Sequence, residues 1–172
     1  MRKELSKKIT ITAVLSALST LAFMLESLFP PLIIPGARMG ISNVFILFTT
    51  IVVGYRYGFI VMVVKIILGS TFSGNLSAIL YSLPAGLISC AIQVCLVHFT
   101  KNVSLLAISV FGAVVNSVVQ NAVFCLVTNT WEYLSFVPYL SLVAIISGLI
   151  VGFATYLLIK KIPLKFIAET NN

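Results

Sequence analysis

Long apolar runs, broken by short stretches rich in glycine, proline or polar residues, organise this chain. The runs lie at about 9–29, 41–54, 59–72, 76–98, 103–127 and 139–159. A membrane helix needs roughly 20 apolar residues, so the pattern predicts six helices in one membrane domain over residues 1–172. The breaks are chemically marked. Pro30, Pro31 and Pro35 end the first helix, because proline lacks the N–H that would continue it. Gly54 and Gly58 frame a tight turn, GYRYG. Ser73, Gly74 and Asn75 part the third helix from the fourth, Lys101 and Asn102 the fourth from the fifth, and TNTWEYLSFVP the fifth from the sixth. The second and third helices are short, which suits tilted segments or segments screened by neighbours. The predicted fold is all-α, an integral membrane bundle of six transmembrane helices.

Composition strengthens this reading. Charged residues make up 9% of the chain and hydrophobic residues 60%, whereas soluble domains carry about 25% charged residues. Too few charges remain to build a water-facing surface. The net charge of +7 comes from basic residues at the ends and in particular loops, with no aromatic-interleaved patch, so nucleic acid is not an expected partner. The opening MRKELSKK resembles the charged region of a signal peptide. The apolar run behind it is too long, and no small-residue cleavage site interrupts it before Glu26, so it is read as a retained first helix.

The basic residues also predict topology. With a cytoplasmic N-terminus, Arg2, Lys3, Lys7, Lys8, Arg56, Lys101, Lys160, Lys161 and Lys165 fall inside and Arg38 outside. Trp131, Tyr133 and Tyr139 then sit at the outer boundary. The expected location is the cell membrane, multi-pass, with both termini cytoplasmic. Cys90, Cys95 and Cys125 lie in apolar runs, which excludes a disulfide scaffold. Cys95 and His98, one turn apart, read as a core residue and an interfacial residue, since a structural metal site wants four ligands.

A few polar residues stand out against this background. Lys65 lies deep in GFIVMVVKIILGS, about 10 Å into the third helix at 1.5 Å per residue. A charge there is costly unless paired or hydrated, and snorkelling to the inner interface is the plainer alternative to function. Glu26, near the outer end of the first helix, suits either a structural ion pair or a ligand contact. PGARMGISN, residues 35–43, sets Arg38 and flexible glycines between two apolar helices, and a guanidinium suits bidentate recognition of phosphate or carboxylate. Asn116 and Gln120 share a face of the fifth helix, beside Asn121. Together with Asn43, Ser70, Asn75 and Glu132, these residues gather in the outer half. They predict an outward-facing pocket for a small, anionic molecule, bound by Glu26, Arg38, Asn43, Lys65, Asn75, Gln120 and Asn121. Small residues at four-residue spacing, Ala13 with Ala17 and Ala144 with Gly148 and Gly152, mark close helix contacts.

Several chemistries are missing from the sequence. The chain has no aspartate, and its acids are Glu4, Glu26, Glu132 and Glu169, so the clustered carboxylates of a magnesium-dependent prenyl transferase are absent. There is no P-loop and only one histidine. The reading is a non-enzyme with no metal and no cofactor, whose transport energy would come from a partner or an ion gradient.

PGARMGISN, the basic residue ahead of ILGSTFSG, and SLPAGLIS together resemble the Gx transporter family, whose members are often named heptaprenyl diphosphate synthase component I. The resemblance spans nearly the whole membrane portion. The family is similar to the S-components of energy-coupling factor transporters, six-helix proteins that bind a small molecule near the outer face. That similarity implies a membrane coupling subunit with associated ATPases, or another membrane or extracytoplasmic protein, as partner, and an Ala-x-x-x-Ala stripe, here Ala13 and Ala17, for docking. The family tends to have arginine at the place of Lys65, and a His-Asn pair and a glycine where this chain has Asn116, Ser117 and Val119, whereas Gln120 is retained. Two alternatives follow from the resemblance: a non-catalytic membrane subunit of an isoprenoid- or quinone-linked electron-transfer assembly, or the synthase component itself.

Overall fold

A computed structural model of the chain describes residues 2–28, 40–99 and 103–161. Among these are six α-helices: α1 (Arg2–Leu28), α2 (Ser42–Val52), α3 (Tyr55–Phe72), α4 (Ala78–Phe99), α5 (Leu105–Thr128) and α6 (Val137–Lys161). A short 3-10 helix, Trp131–Phe136, leads into α6. Five of the helical segments are long and apolar enough to cross a membrane. The sixth, α2, has 11 residues and spans only about 16 Å of a hydrocarbon core about 30 Å thick. Most of its side chains are buried, so neighbouring protein screens the short helix as its length requires.

Two boundaries differ from the expected ones for physical reasons. α1 begins at Arg2 rather than near residue 9, because Lys, Glu and Arg are good helix formers and carry the helix past its apolar run. α3 begins at Tyr55, so Gly54 alone makes the turn after α2, at φ 127°. Gly58 lies inside α3 and serves packing instead: a Cβ there would collide with Thr50 of α2.

The bundle is apolar outside, and its interior mixes hydrophobic clusters with buried small and hydroxylated residues. On α6, Leu142, Ile146, Ile150 and Phe153 face outward, while Ser147, Gly148, Gly152 and Thr155 are buried. Lipid is as apolar as leucine, so small and hydroxylated residues make the helix contacts here. The glycine stripe of α6 docks on α5: a Cβ on Gly148 would sit 2.7 Å from the Val110 Cα, and one on Gly152 3.1 Å from the Leu106 Cα. Buried threonines such as Thr49, Thr50 and Thr155 return their hydroxyls to the carbonyl four residues earlier. Helices α2 to α6 close a ring in which α3 packs on α4, α4 on α5, α5 on α6, and both α6 and α3 on α2. α1 lies outside that ring against α2 and α3.

Candidate functional site

The end of PGARMGISN builds the centre of the site. Gly40 is buried with φ 69°, a left-handed conformation that favours glycine. A Cβ there would stand 3.0 Å from the Ser147 Oγ and 3.2 Å from the Asn43 Nδ2. The turn starts α2 beside Ser147 of α6, rather than at the end of the bundle. Its first residues then gather three helices. The Ser19 hydroxyl of α1 donates to the Ser42 carbonyl at 2.9 Å. The Ser42 N–H donates to the Glu26 carboxylate at 2.9 Å. Glu26 therefore caps an orphan amide and places negative charge at the positive end of α2.

Asn43, the next residue, accepts a 2.6 Å hydrogen bond from the Lys65 ammonium through its Oδ1. The Gly54 turn folds α3 back along α2 and brings position 65 level with the first turn of α2. Lys65 is only 7% exposed. Its ammonium also lies 5.6 Å from the centre of the Phe23 ring, over which a cation is favourable. Phe23 has room because position 69 is glycine; a Cβ there would stand 2.9 Å from its Cε1. The snorkelling alternative for Lys65 is thus replaced by a contact with the start of α2.

Over this hub lies a cavity of about 550 Å³, within the usual range for small-molecule sites. It brings together Glu26, Asn43, Lys65, Asn75, Gln120 and Asn121, six of the seven candidate ligand-binding residues. Arg38, the seventh, lies outside the described residues, as do Lys101 and Lys165. Glu26 and Lys65 are the charged residues among the described lining. Asn75 has a structural duty as well: its Oδ1 accepts from the Ser77 hydroxyl at 2.8 Å and the Ala78 N–H at 3.2 Å, capping α4. The Asn121 amide donates to the Ser117 carbonyl at 2.7 Å. Ser70 and Glu132, expected in the same polar group, are not among the lining residues.

The cavity extends beyond the half of the bundle where the polar residues were expected to gather. It reaches Gln93 of α4 and Ser109 of α5, because small residues leave space there. Gly112 leaves room for the Gln93 side chain, which a Cβ would strike. The Ser89 hydroxyl donates to the Gly112 carbonyl at 3.0 Å. Tyr81, Phe124 and Tyr133 form the aromatic part of the wall; the Tyr81 and Phe124 rings meet edge to face at 5.5 Å, and those of Phe124 and Tyr133 lie 5.3 Å apart. Of the lining, Tyr81, Ser82 and Gln93 on α4, Ser109 on α5 and Ser147 on α6 were not singled out in the sequence. A signal existed on α4, where Ser82, Ser89 and Gln93, spaced seven and four apart, fall on one helical face.

Ala13 and Ala17 lie elsewhere, exposed on the outward side of α1 with Val14, Leu18 and Leu21. The Ala144, Gly148 and Gly152 stripe is internal, as the α5 contact shows.

Long apolar helices closed around a cavity of mixed polar and apolar lining define a multi-pass membrane protein with a site of small-molecule size. The heptaprenyl diphosphate synthase component I family matches residues 15–158, and the chain belongs to that family. No curated protein and no solved structure matches the chain.

Proposed function

We propose that this protein is the substrate-binding membrane subunit of a transport system, similar in plan to the S-components of energy-coupling factor transporters, and that it is not itself an enzyme. The observation that carries the reading is the cavity, about 550 Å³ of space lined by polar as well as apolar side chains inside a largely apolar bundle. Packing alone does not call for such a space; membrane bundles reserve polar residues for glue or for substrate. Glu26 is the only carboxylate among the described lining residues, and it already holds the start of α2. It leaves no carboxylate pair for metal-assisted diphosphate chemistry.

In this reading the end of the bundle that carries Glu26 faces outward, since the described basic residues Lys7, Lys8, Arg56, Lys160 and Lys161 cluster toward the opposite end. Lys65, with Arg38 from the preceding loop, meets an anionic group on the ligand. The outward alanines of α1 meet the coupling subunit. The test is to purify the full chain in lipid nanodiscs, extract it and measure small molecules by mass spectrometry. About one molecule per chain is expected. A stoichiometric protein partner with no small molecule would instead make the chain an assembly subunit.

A further inference from the structure

We infer that the cavity takes a compact molecule carrying hydrogen-bond donors and acceptors along its length, and that it is not built for a prenyl chain. The inference rests on the substrate-binding reading and names the class of substrate. The carboxamides of Gln93, Asn116 and Gln120 line the cavity and hydrogen-bond to no described residue. Each offers two donors and a two-lone-pair acceptor. The Ser82 hydroxyl, on a residue 8% exposed, is buried and without a hydrogen-bond partner among the described residues.

These groups are spread through the depth of the site. Gln93 lies against Gly112, Asn116 is one turn further along α5, and Gln120 a turn beyond that. Together they cover about 12 Å at 1.5 Å per residue. A hydrocarbon chain threaded there would displace water from every one of them and return no hydrogen bond, which is the costly way to bury a polar group. A molecule with heteroatoms at several points satisfies them in turn.

The other half of a prenyl diphosphate fits no better. Among the described lining residues the charged ones are one cation, Lys65, and one carboxylate, Glu26. Those two charges cancel, so the described lining holds no surplus positive charge to meet a diphosphate, whereas a ligand with a single carboxylate or none is repelled far less by Glu26.

The experiment uses the full chain in nanodiscs with two probes, inorganic pyrophosphate and farnesyl diphosphate, measured by calorimetry. Burying a prenyl chain against an apolar lining would raise affinity by orders of magnitude. The inference expects farnesyl diphosphate to bind no more than about threefold tighter than pyrophosphate, or both to bind too weakly to measure. It further expects Gln120→Leu, alone or with Asn116→Leu, to improve farnesyl diphosphate binding by about tenfold or more, a gain that a merely structural role for these amides would not produce. Farnesyl diphosphate binding more than about tenfold tighter than pyrophosphate in the unmodified protein would overturn the inference. The molecule extracted with the protein separates the two levels. A molecule rich in nitrogen and oxygen, without a prenyl tail, supports both. A prenyl-tailed molecule overturns the substrate class and leaves the binding subunit standing. Recovery of no molecule at all overturns the binding subunit and the inference with it.

Discussion

Lys65 of α3 and Asn43 of α2 are joined by a 2.6 Å hydrogen bond that fastens a buried ammonium to the first turn of the neighbouring helix. Asn43→Leu removes the acceptor and leaves the charge in place. A hydrogen bond to a charged group contributes about 1.5–3 kcal/mol, and that is the expected loss of stability. Lys65→Met removes the charge and keeps an apolar chain against Phe23, so its loss is smaller, about 1 kcal/mol. The double variant should be more stable than the sum of the two losses implies. Thermal melts of all four proteins in one detergent give the coupling, and simple additivity would show that the pair does not act as a unit.

Glu26 holds α2 through the Ser42 N–H. Glu26→Ala strands that buried amide and should cost about 1–3 kcal/mol. Glu26→Gln keeps an oxygen acceptor and loses only the charge at the helix terminus, about 0.3–1 kcal/mol. Hydrogen exchange at the first turn of α2 should rise strongly in the alanine variant and slightly in the glutamine variant. Equal rates in both would place the stabilisation in the charge rather than the hydrogen bond.

Two glycines separate backbone strain from crowding. Gly74 has φ 70° and nothing within 4 Å of an added Cβ, whereas Gly40, at φ 69°, has Ser147 and Asn43 in the way. Gly74→Ala should lose only the left-handed penalty, about 1–2 kcal/mol. Gly40→Ala should lose more, because the start of α2 must also shift. Melting temperatures measured side by side decide the order, and a smaller loss at Gly40 would contradict the packing described here.

Orientation is best read at exposed positions. Ser42, in the PGARMGISN segment expected on the outer side, is 1% exposed and would report burial rather than orientation. In a background without the natural cysteines, Ser135→Cys in the 3-10 helix should react with an impermeant thiol reagent from outside the cell. Lys161→Cys at the end of α6 should react only after permeabilisation. The reverse pattern would invert the proposed topology.

Ala13 and Ala17 are exposed on α1, so bulk added there meets lipid or a partner rather than the core. Ala13→Trp or Ala17→Trp should leave the stability within about 0.5 kcal/mol of the parent. Either should sharply reduce recovery of a coupling subunit in pull-downs. Undiminished recovery in both variants would exclude this face as the docking surface.

The helices were legible because lipid selects long apolar runs, and their ends were legible wherever glycine, proline or asparagine breaks the ladder. The polar residues were legible by their cost: Lys65, Glu26 and the α5 amides are conspicuous in a chain with so few of them. Which serines face the cavity was legible only on α4, where Ser82 and Ser89 share a face with Gln93. A serine or threonine in a membrane helix can bond back to its own helix, as Thr12 and Thr20 do to Lys8 and Ser16, or turn outward to a neighbour or a cavity, as Ser19 and Ser82 do. Spacing alone does not distinguish these cases. The depth of the cavity was hidden for a related reason: it depends on where α2 starts relative to α6, which the Gly40 turn sets through a contact more than a hundred residues away in sequence.

α1 stands outside the ring of α2 to α6, yet it reaches the cavity through Phe23 and Glu26. Glu26 is pinned to the start of α2, while Ala13, thirteen residues back along the same helix, faces outward. At 1.5 Å per residue the two positions are about 20 Å apart on one unbroken rod. The rod is held along its length as well, by the Ser19 hydroxyl on Ser42 and by Ile11 and Leu15 against the buried clusters of α2 and α3. The wall of the cavity and the outward alanines are therefore two faces of one stiff helix, kept at a fixed spacing by its backbone ladder.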